Sequence, residues 1–171
     1  MPSVKVPYDL NNGTYFLTFV VQHWYHIFNN FNRWEILSDS FMYCIDNKDL
    51  KLEAFVFMLN HIHLIVSSPN VAGFICDFKK FTSKRLKENI LTTQPALMNQ
   101  FIDRRGDYHL WQKTNMPKYI ETEDFYQQKL DYIHYNPVVK SYVALPEQWY
   151  WSSANPNCEL RPTQLLQQEP V

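Results

Sequence analysis

Hydrophobic and polar positions divide the chain into three strand-like and three helix-like segments. Residues 14–21 (TYFLTFVV) and 52–59 (LEAFVFML) are rich in β-branched and aromatic side chains, which predicts strands. Residues 61–67 (HIHLIVS) follow after a single asparagine and predict a third strand, paired with the second as a hairpin. Apolar residues at helical spacing predict helices over 33–45 and 71–90. A third helix is predicted from an N-cap at Thr122 to about Tyr135, because Asn136 precedes a proline.

This order of elements predicts the fold class. Hairpin strands with long helices between them are typical of an α+β fold, an antiparallel sheet with helices packed on one face. A chain of 171 residues that is 46% hydrophobic suits one domain, expected over residues 1–155, with a polar and loosely ordered tail over 156–171. The chain has no membrane-length apolar run and no signal-peptide core at its start, so we expect a cytoplasmic protein without membrane contact.

The charges are unevenly distributed, although their sum is only −1. Residues 79–118 contain nine basic and three acidic side chains, which gives +6 in this region and −7 elsewhere. A local basic region can bind phosphates, and a solvated helix face is the alternative interpretation. The chain has only three glycines, and it forms neither a Gly-rich phosphate loop nor a dinucleotide fingerprint. This excludes most nucleotide-dependent enzymes.

Two histidines alternate with an apolar residue at the start of the third predicted strand. Residues two apart in a strand point to the same face, so His61 and His63 would present two imidazoles side by side. Such a pair is half of a metal site. A structural or surface role for both histidines is the alternative, and the pair alone does not decide between them.

The third predicted helix has a tyrosine and an asparagine one turn apart. Tyr132 and Asn136 share a face with Lys129, which lies three residues before the tyrosine. Two imidazoles and one amide oxygen would leave open positions on a divalent ion, where a phosphate oxygen can bind. A tyrosine beside that phosphate could attack it and form a covalent intermediate. A tyrosine on an amphipathic helix is more often a packing residue, which is the alternative here.

Two motifs together resemble those of a known family. Residues 58–69 (MLNHIHLIVSSP) resemble the MPNHxHL signature of single-tyrosine HUH transposases, named for their His-hydrophobe-His pair. Residues 131–138 (DYIHYNPV), followed by WSSA at 151–154, resemble the pattern of the REP-associated tyrosine transposases. The resemblance covers residues 15–154, and it departs from the family pattern at Leu59, where a proline is usual.

The resemblance implies a fold, an activity and a set of site residues. His61 and His63 match the metal-binding pair, Tyr132 matches the nucleophile, and Asn136 matches the residue that completes the metal site. The family uses Mg²⁺ or Mn²⁺ and has a ferredoxin-like α+β sheet. Its members cut and rejoin single-stranded DNA through a 5′-phosphotyrosine, at hairpins of repetitive extragenic palindromes or at insertion-sequence ends.

The sequence leaves the DNA contacts and the oligomeric state less defined. The candidate DNA-binding residues are basic side chains of the central region, Lys80, Lys84, Arg85, Arg104 and Arg105. Two other functions stay open: a hairpin-binding protein derived from a transposase without cleavage, and a rolling-circle-type nicking protein. Related enzymes act as monomers or as homodimers, so the active site could form within one chain or between two.

Overall fold

Four antiparallel strands form the sheet of this protein, and the structure, a computed structural model, describes residues 13–163. The strands lie in the order β2-β3-β1-β4. Their bounds are β1 Thr14–Val20, β2 Lys51–Phe57, β3 His61–Ser67 and β4 Lys118–Tyr119. The helices are α1 Arg33–Asn47, α2 Val71–Thr93 and α3 Glu123–Val139. Short 3₁₀ turns occupy Gln22–Trp24, Pro95–Gln100 and Pro146–Gln148.

Helices cover both faces of the sheet. Leu17 and Phe19 of β1 pack in one apolar cluster with residues of α1 and α2, while Phe16 packs in a second cluster with Ile133 of α3. The predicted α+β class and antiparallel sheet are confirmed. The helices were expected on one face, but α3 lies on the face opposite α1 and α2. The reason is that β1 has large apolar side chains on both faces, Phe16 on one and Leu17 and Phe19 on the other, so each face of the sheet has to be covered.

Helix α3 begins as predicted but ends later. The Thr122 hydroxyl accepts a hydrogen bond from the Phe125 N–H at 3.2 Å, which confirms the N-cap. The helix does not end near Tyr135 but continues to Val139 with Pro137 inside it. Because Pro137 lies in the last turn, its missing N–H removes a single helical hydrogen bond close to the helix end. Asn136 is therefore held in a regular turn and is buried.

The segment after α3 returns to the sheet and covers the outer edge of β2. The Phe57 N–H donates to the Trp151 carbonyl at 2.8 Å, and the Leu52 N–H donates to the Thr163 hydroxyl at 2.9 Å. Leu160, like Cys158, is only 1% exposed. The prediction of a loose tail from residue 156 is therefore wrong as far as residue 163, because its apolar side chains join the core. The rest of the predicted tail, residues 164–171, lies outside the described residues, as do residues 1–12.

Among the helices within residues 13–163, none combines the length and the apolar character that crossing a membrane requires.

Candidate active site

A cavity of about 350 Å³ opens between α3 and the strands beneath it. Its lining includes all four residues predicted to be catalytic or metal-binding: His61, His63, Tyr132 and Asn136. The other lining residues are Phe16, Thr18, Val20, Trp24, Met116, Lys118, Lys129 and Lys140. Among the lining residues that the structure describes, three are lysines and none has a carboxylate, so the cavity favours anions.

Strand β3 holds the two histidines side by side. His61 lies opposite Val20 of β1, and His63 lies opposite Thr18. The two imidazole centroids are 4.8 Å apart. Both side chains are buried beneath α3, with 7% and 5% of their surface exposed. The shared face predicted from the two-residue spacing is present.

Each imidazole has a hydrogen-bond partner at Nδ1. His61 Nδ1 lies 2.7 Å from the amide oxygen of Asn60, whose Nδ2 donates to the Trp24 carbonyl at 2.9 Å. Because that amide oxygen only accepts, His61 has its proton on Nδ1 and leaves the Nε2 lone pair free. His63 Nδ1 lies 2.9 Å from the Thr18 hydroxyl, which can either accept a hydrogen bond from Nδ1 or donate one to it. The Nε2 atom of His61 is thus available as a metal ligand, and that of His63 is available in the tautomer that donates from Nδ1 to Thr18.

Burial keeps both imidazoles neutral. Desolvation lowers the pKa of His61 to about 4, and the nearby charges of Lys140 and His26 act in the same direction. Desolvation lowers the pKa of His63 to about 3, with smaller contributions from His61 and Lys129. Neutral imidazole is the form that binds a metal ion, so the pair is ready to ligate at neutral pH.

Helix α3 places Tyr132 against the histidines of the same chain. The tyrosine ring centroid lies 5.1 Å from that of His63 and 5.8 Å from that of Phe16. The side chain is 48% exposed, so a substrate can reach it. Lys129, one turn earlier, has its Nζ 5.5 Å from the tyrosine ring centroid. Burial, and secondly the charge of Lys118, lowers the pKa of Lys129.

The side-chain oxygen of Asn136 is buried without a hydrogen-bond partner among the described residues. A buried acceptor left unpaired costs about 1–3 kcal/mol, and a ligand bound to this oxygen would offset that cost. With the Nε2 atoms of His61 and His63 it forms a set of one oxygen and two nitrogen donors. Such a set suits Mn²⁺, or Mg²⁺ that keeps several waters. The residues of the cavity therefore fit a divalent ion.

A second group of possible metal ligands lies in a loop outside the cavity. Asp103, Asp107 and His109 are exposed and are close enough together to hold an ion. The Asp103 carboxylate, however, already accepts the N–H groups of Arg105 and Asp107 at 2.8 and 3.0 Å, which closes a tight turn. The cavity therefore remains the predicted site for Mg²⁺ or Mn²⁺, because its donor atoms have no such partners among the described residues.

The five predicted DNA contacts lie on two separate surfaces. Lys80, Lys84 and Arg85 line a groove of about 650 Å³ between α1 and α2, on the sheet face opposite the cavity. Arg104 and Arg105 lie in an exposed turn, and the chain flanking this turn hydrogen-bonds to residues just after β1. That end of β1 pairs with the start of β3, where the histidines lie. The arginine turn is therefore at the same end of the sheet as the histidine pair.

Several residues of the cavity were not predicted to belong to it. Lys140 lies two turns beyond Tyr132 and lines the same cavity. A predicted helix that continued past Pro137 would have placed Lys140 on the same face as Tyr132. Thr18 becomes a partner of His63 only through the register of β1 with β3, which the sequence does not specify. The position of Trp24 likewise depends on a contact between distant segments, because its carbonyl accepts a hydrogen bond from the Asn60 amide.

Replacing Asn60 with alanine should weaken Mn²⁺ binding about tenfold, because an outer partner that orients a metal-binding histidine is typically worth 10- to 100-fold. Electron paramagnetic resonance of Mn²⁺ titrated into the protein measures this. Asn47→Ala, which removes an exposed amide at the end of α1, is the matched control and should bind as the wild type does. Unchanged affinity in Asn60→Ala would contradict the positioning role.

Acid should destabilise the metal-free wild type more than a His63→Gln variant. The folded state keeps His63 neutral down to a pKa of about 3, whereas the unfolded chain takes up a proton near pH 6.5. The contribution of His63 to the free energy of unfolding is therefore fully present above pH 6.5 and is lost as the pH falls toward 3. The free energy of unfolding falls by at most about 1.4 kcal/mol per pH unit on this account. Urea denaturation with EDTA at pH 7 and pH 5 measures this. A free-energy difference between the two proteins that does not change with pH would contradict it.

Comparisons with known proteins bear on the family and the fold of the chain. A family model described as "Transposase IS200 like" matches residues 9–136, a range that contains the histidine pair, Tyr132 and Asn136. A comparison with curated proteins finds no match. A solved structure of a REP-associated tyrosine transposase bound to a REP hairpin is similar, with a TM-score of 0.64 and 18% sequence identity. The similarity covers 82% of this chain and 76% of that one, and at this identity it shows a common fold. Because the family model matches well over half of the sequence, the chain belongs to the IS200-like transposase family.

Proposed function

We propose that this protein nicks and rejoins single-stranded DNA beside a hairpin, as a transposase of the REP-associated type, through a 5′-phosphotyrosine at Tyr132. The main support is the position of the Tyr132 ring, 5.1 Å from His63 of the same chain. The cavity around them is lined by lysines and is suited to a phosphodiester. Because one chain supplies the tyrosine and both histidines, we propose a site that works in cis, in a monomer.

Each residue has a part in the transfer. The Tyr132 oxygen attacks the phosphorus, the bond from phosphorus to O3′ breaks, O3′ takes a proton, and the tyrosine proton passes to water. Lys129 stabilises the negative charge on the attacking oxygen. The phosphotyrosine keeps the energy of the phosphodiester, so a 3′-hydroxyl can reverse the step without ATP.

A divalent ion would be held by His61, His63 and Asn136, through two Nε2 atoms and one amide oxygen. A bound Mg²⁺ or Mn²⁺ would supply Lewis-acid polarisation of a phosphate oxygen. The burial of all three side chains excludes bulk water from their donor atoms, which strengthens electrostatic interactions with the phosphate.

Hairpin DNA is the proposed partner. The solved structure with the same fold is bound to a REP hairpin, which supports the same class of DNA here. Arg104 and Arg105 extend from the histidine end of the sheet and are suited to position a duplex next to the cavity through phosphate contacts. Lys80, Lys84 and Arg85 lie on the other face of the sheet. They would contact only a part of the DNA that extends past the duplex held by the two arginines.

Wild-type protein mixed with a hairpin that has a single-stranded flank should form a denaturation-resistant adduct in the presence of Mn²⁺. A 5′-phosphotyrosine retains the segment 3′ of the cut, so a 3′-end label should stay on the protein and a 5′-end label should be released. EDTA should prevent the reaction. Retention of the 5′ label would reverse the assigned polarity, and hairpin binding without any adduct would indicate a binding protein instead.

A further inference from the structure

Trp24 is a large aromatic side chain held in solvent at the edge of the cavity. It is 55% exposed, and its ring centroid lies 5.8 Å from that of His61. His23 and Trp24 both have left-handed backbone angles, with φ of +57° and +58°. Such a conformation is unfavourable for a non-glycine residue, and it is concentrated at functional sites. The Asn60 amide, which donates to the Trp24 carbonyl, holds this strained segment in place.

Four aromatic rings follow one another along the cavity. The centroid distances are 5.8 Å from Trp24 to His61, 4.8 Å from His61 to His63, and 5.1 Å from His63 to Tyr132. The strand register gives the same order, because His61 lies opposite Val20 at the end of β1, while Tyr132 packs on Phe16 near its start. Trp24 and Tyr132 therefore lie at opposite ends of the histidine pair.

We infer that Trp24 stacks on the base of the nucleotide that bears the leaving O3′. This inference rests on the proposed function. In an in-line displacement the leaving oxygen departs opposite the attacking one. With the phosphate at the histidine pair and the attack coming from the Tyr132 end, the leaving nucleotide extends toward Trp24. An exposed indole binds any base by stacking, so Trp24 holds the strand in position without reading its sequence.

The test measures binding to intact DNA, in a Tyr132→Phe background that prevents cleavage. The scissile phosphate is first mapped with the wild-type protein. Trp24→Ala should lower the affinity for the hairpin substrate about tenfold, as expected for the loss of one base–aromatic stack, while Trp24→Phe retains a ring and should come close to the parent. An abasic site at the nucleotide 5′ of the scissile phosphate should lower the affinity of the parent by a similar factor. On that abasic DNA, Trp24→Ala should add no further loss.

Two controls separate stacking from damage to the site. Trp24→Ala should bind Mn²⁺ with unchanged affinity, which shows that His61 keeps its position. Tyr150→Ala removes another partly exposed ring, which packs against Trp151 outside the cavity, and should bind DNA as the parent does.

Equal losses from Trp24→Ala on intact and abasic DNA would overturn the inference. Coupling to an abasic site on the 3′ side of the scissile phosphate would also overturn it, because it would pair Trp24 with the nucleotide retained on Tyr132. Failure of the proposed function has a different signature, since the wild-type protein would then form no adduct at all.

Discussion

A Tyr132→Phe variant should lose at least about 10⁴-fold in the rate of DNA nicking, because it lacks the only atom proposed to bond to phosphorus. Its hairpin binding should be unchanged, because phenylalanine keeps the ring that packs on Phe16 and His63. Gel analysis of a labelled hairpin substrate with Mn²⁺ measures the rate, and fluorescence anisotropy measures the binding.

The matched control for this variant is Tyr135→Phe. Tyr135 lies on the same helix and is 53% exposed, but it does not line the cavity. Its variant should nick at the wild-type rate. Nicking by Tyr132→Phe at a rate close to that of the wild type would show that Tyr132 is not the nucleophile. Nicking kept in Tyr132→Phe and lost in Tyr135→Phe would assign that role to Tyr135.

Local periodicity was enough to predict the two halves of the candidate site. The alternation of strand residues places His61 and His63 on one face, and the helical repeat places Tyr132 and Asn136 together. The predicted bounds of the third strand, 61–67, agree with β3 because Asn60 separates it from the preceding strand and Pro69 follows its end. That the two halves meet within one chain depends on the packing of α3, which no local pattern specifies.

The errors have physical causes that can be traced to single elements. The helices were expected on one face, although Phe16 and Leu17, neighbours in β1, are both large and apolar, which already indicates that both faces are buried. Helix α3 ends later than predicted because the prediction ends the helix before Pro137, whereas a proline in the last turn removes only one hydrogen bond. Trp24 gave no signal, since its strained backbone is visible only in three dimensions.

A His63→Ala variant should lose at least about 100-fold in Mn²⁺ affinity, since even an outer partner of a metal ligand is commonly worth 10- to 100-fold. DNA nicking should fall with it, by at least about 10³-fold, because polarisation of the phosphate is worth several kcal/mol in the transition state. Titration followed by electron paramagnetic resonance measures the ion binding, and single-turnover cleavage at the Mn²⁺ concentration that just saturates the wild type measures the chemistry.

The control for this variant also tests the other candidate metal site. His109→Ala removes the histidine of the exposed group with Asp103 and Asp107, and it should change neither Mn²⁺ affinity nor nicking. Tyr132→Phe should bind Mn²⁺ normally while failing to nick, which separates the ligands from the nucleophile. If His109→Ala instead lost Mn²⁺ binding and His63→Ala kept it, the ion would belong to the exposed turn. The unpaired oxygen of Asn136 would then need another partner, and the paired histidines would have a structural role beneath α3.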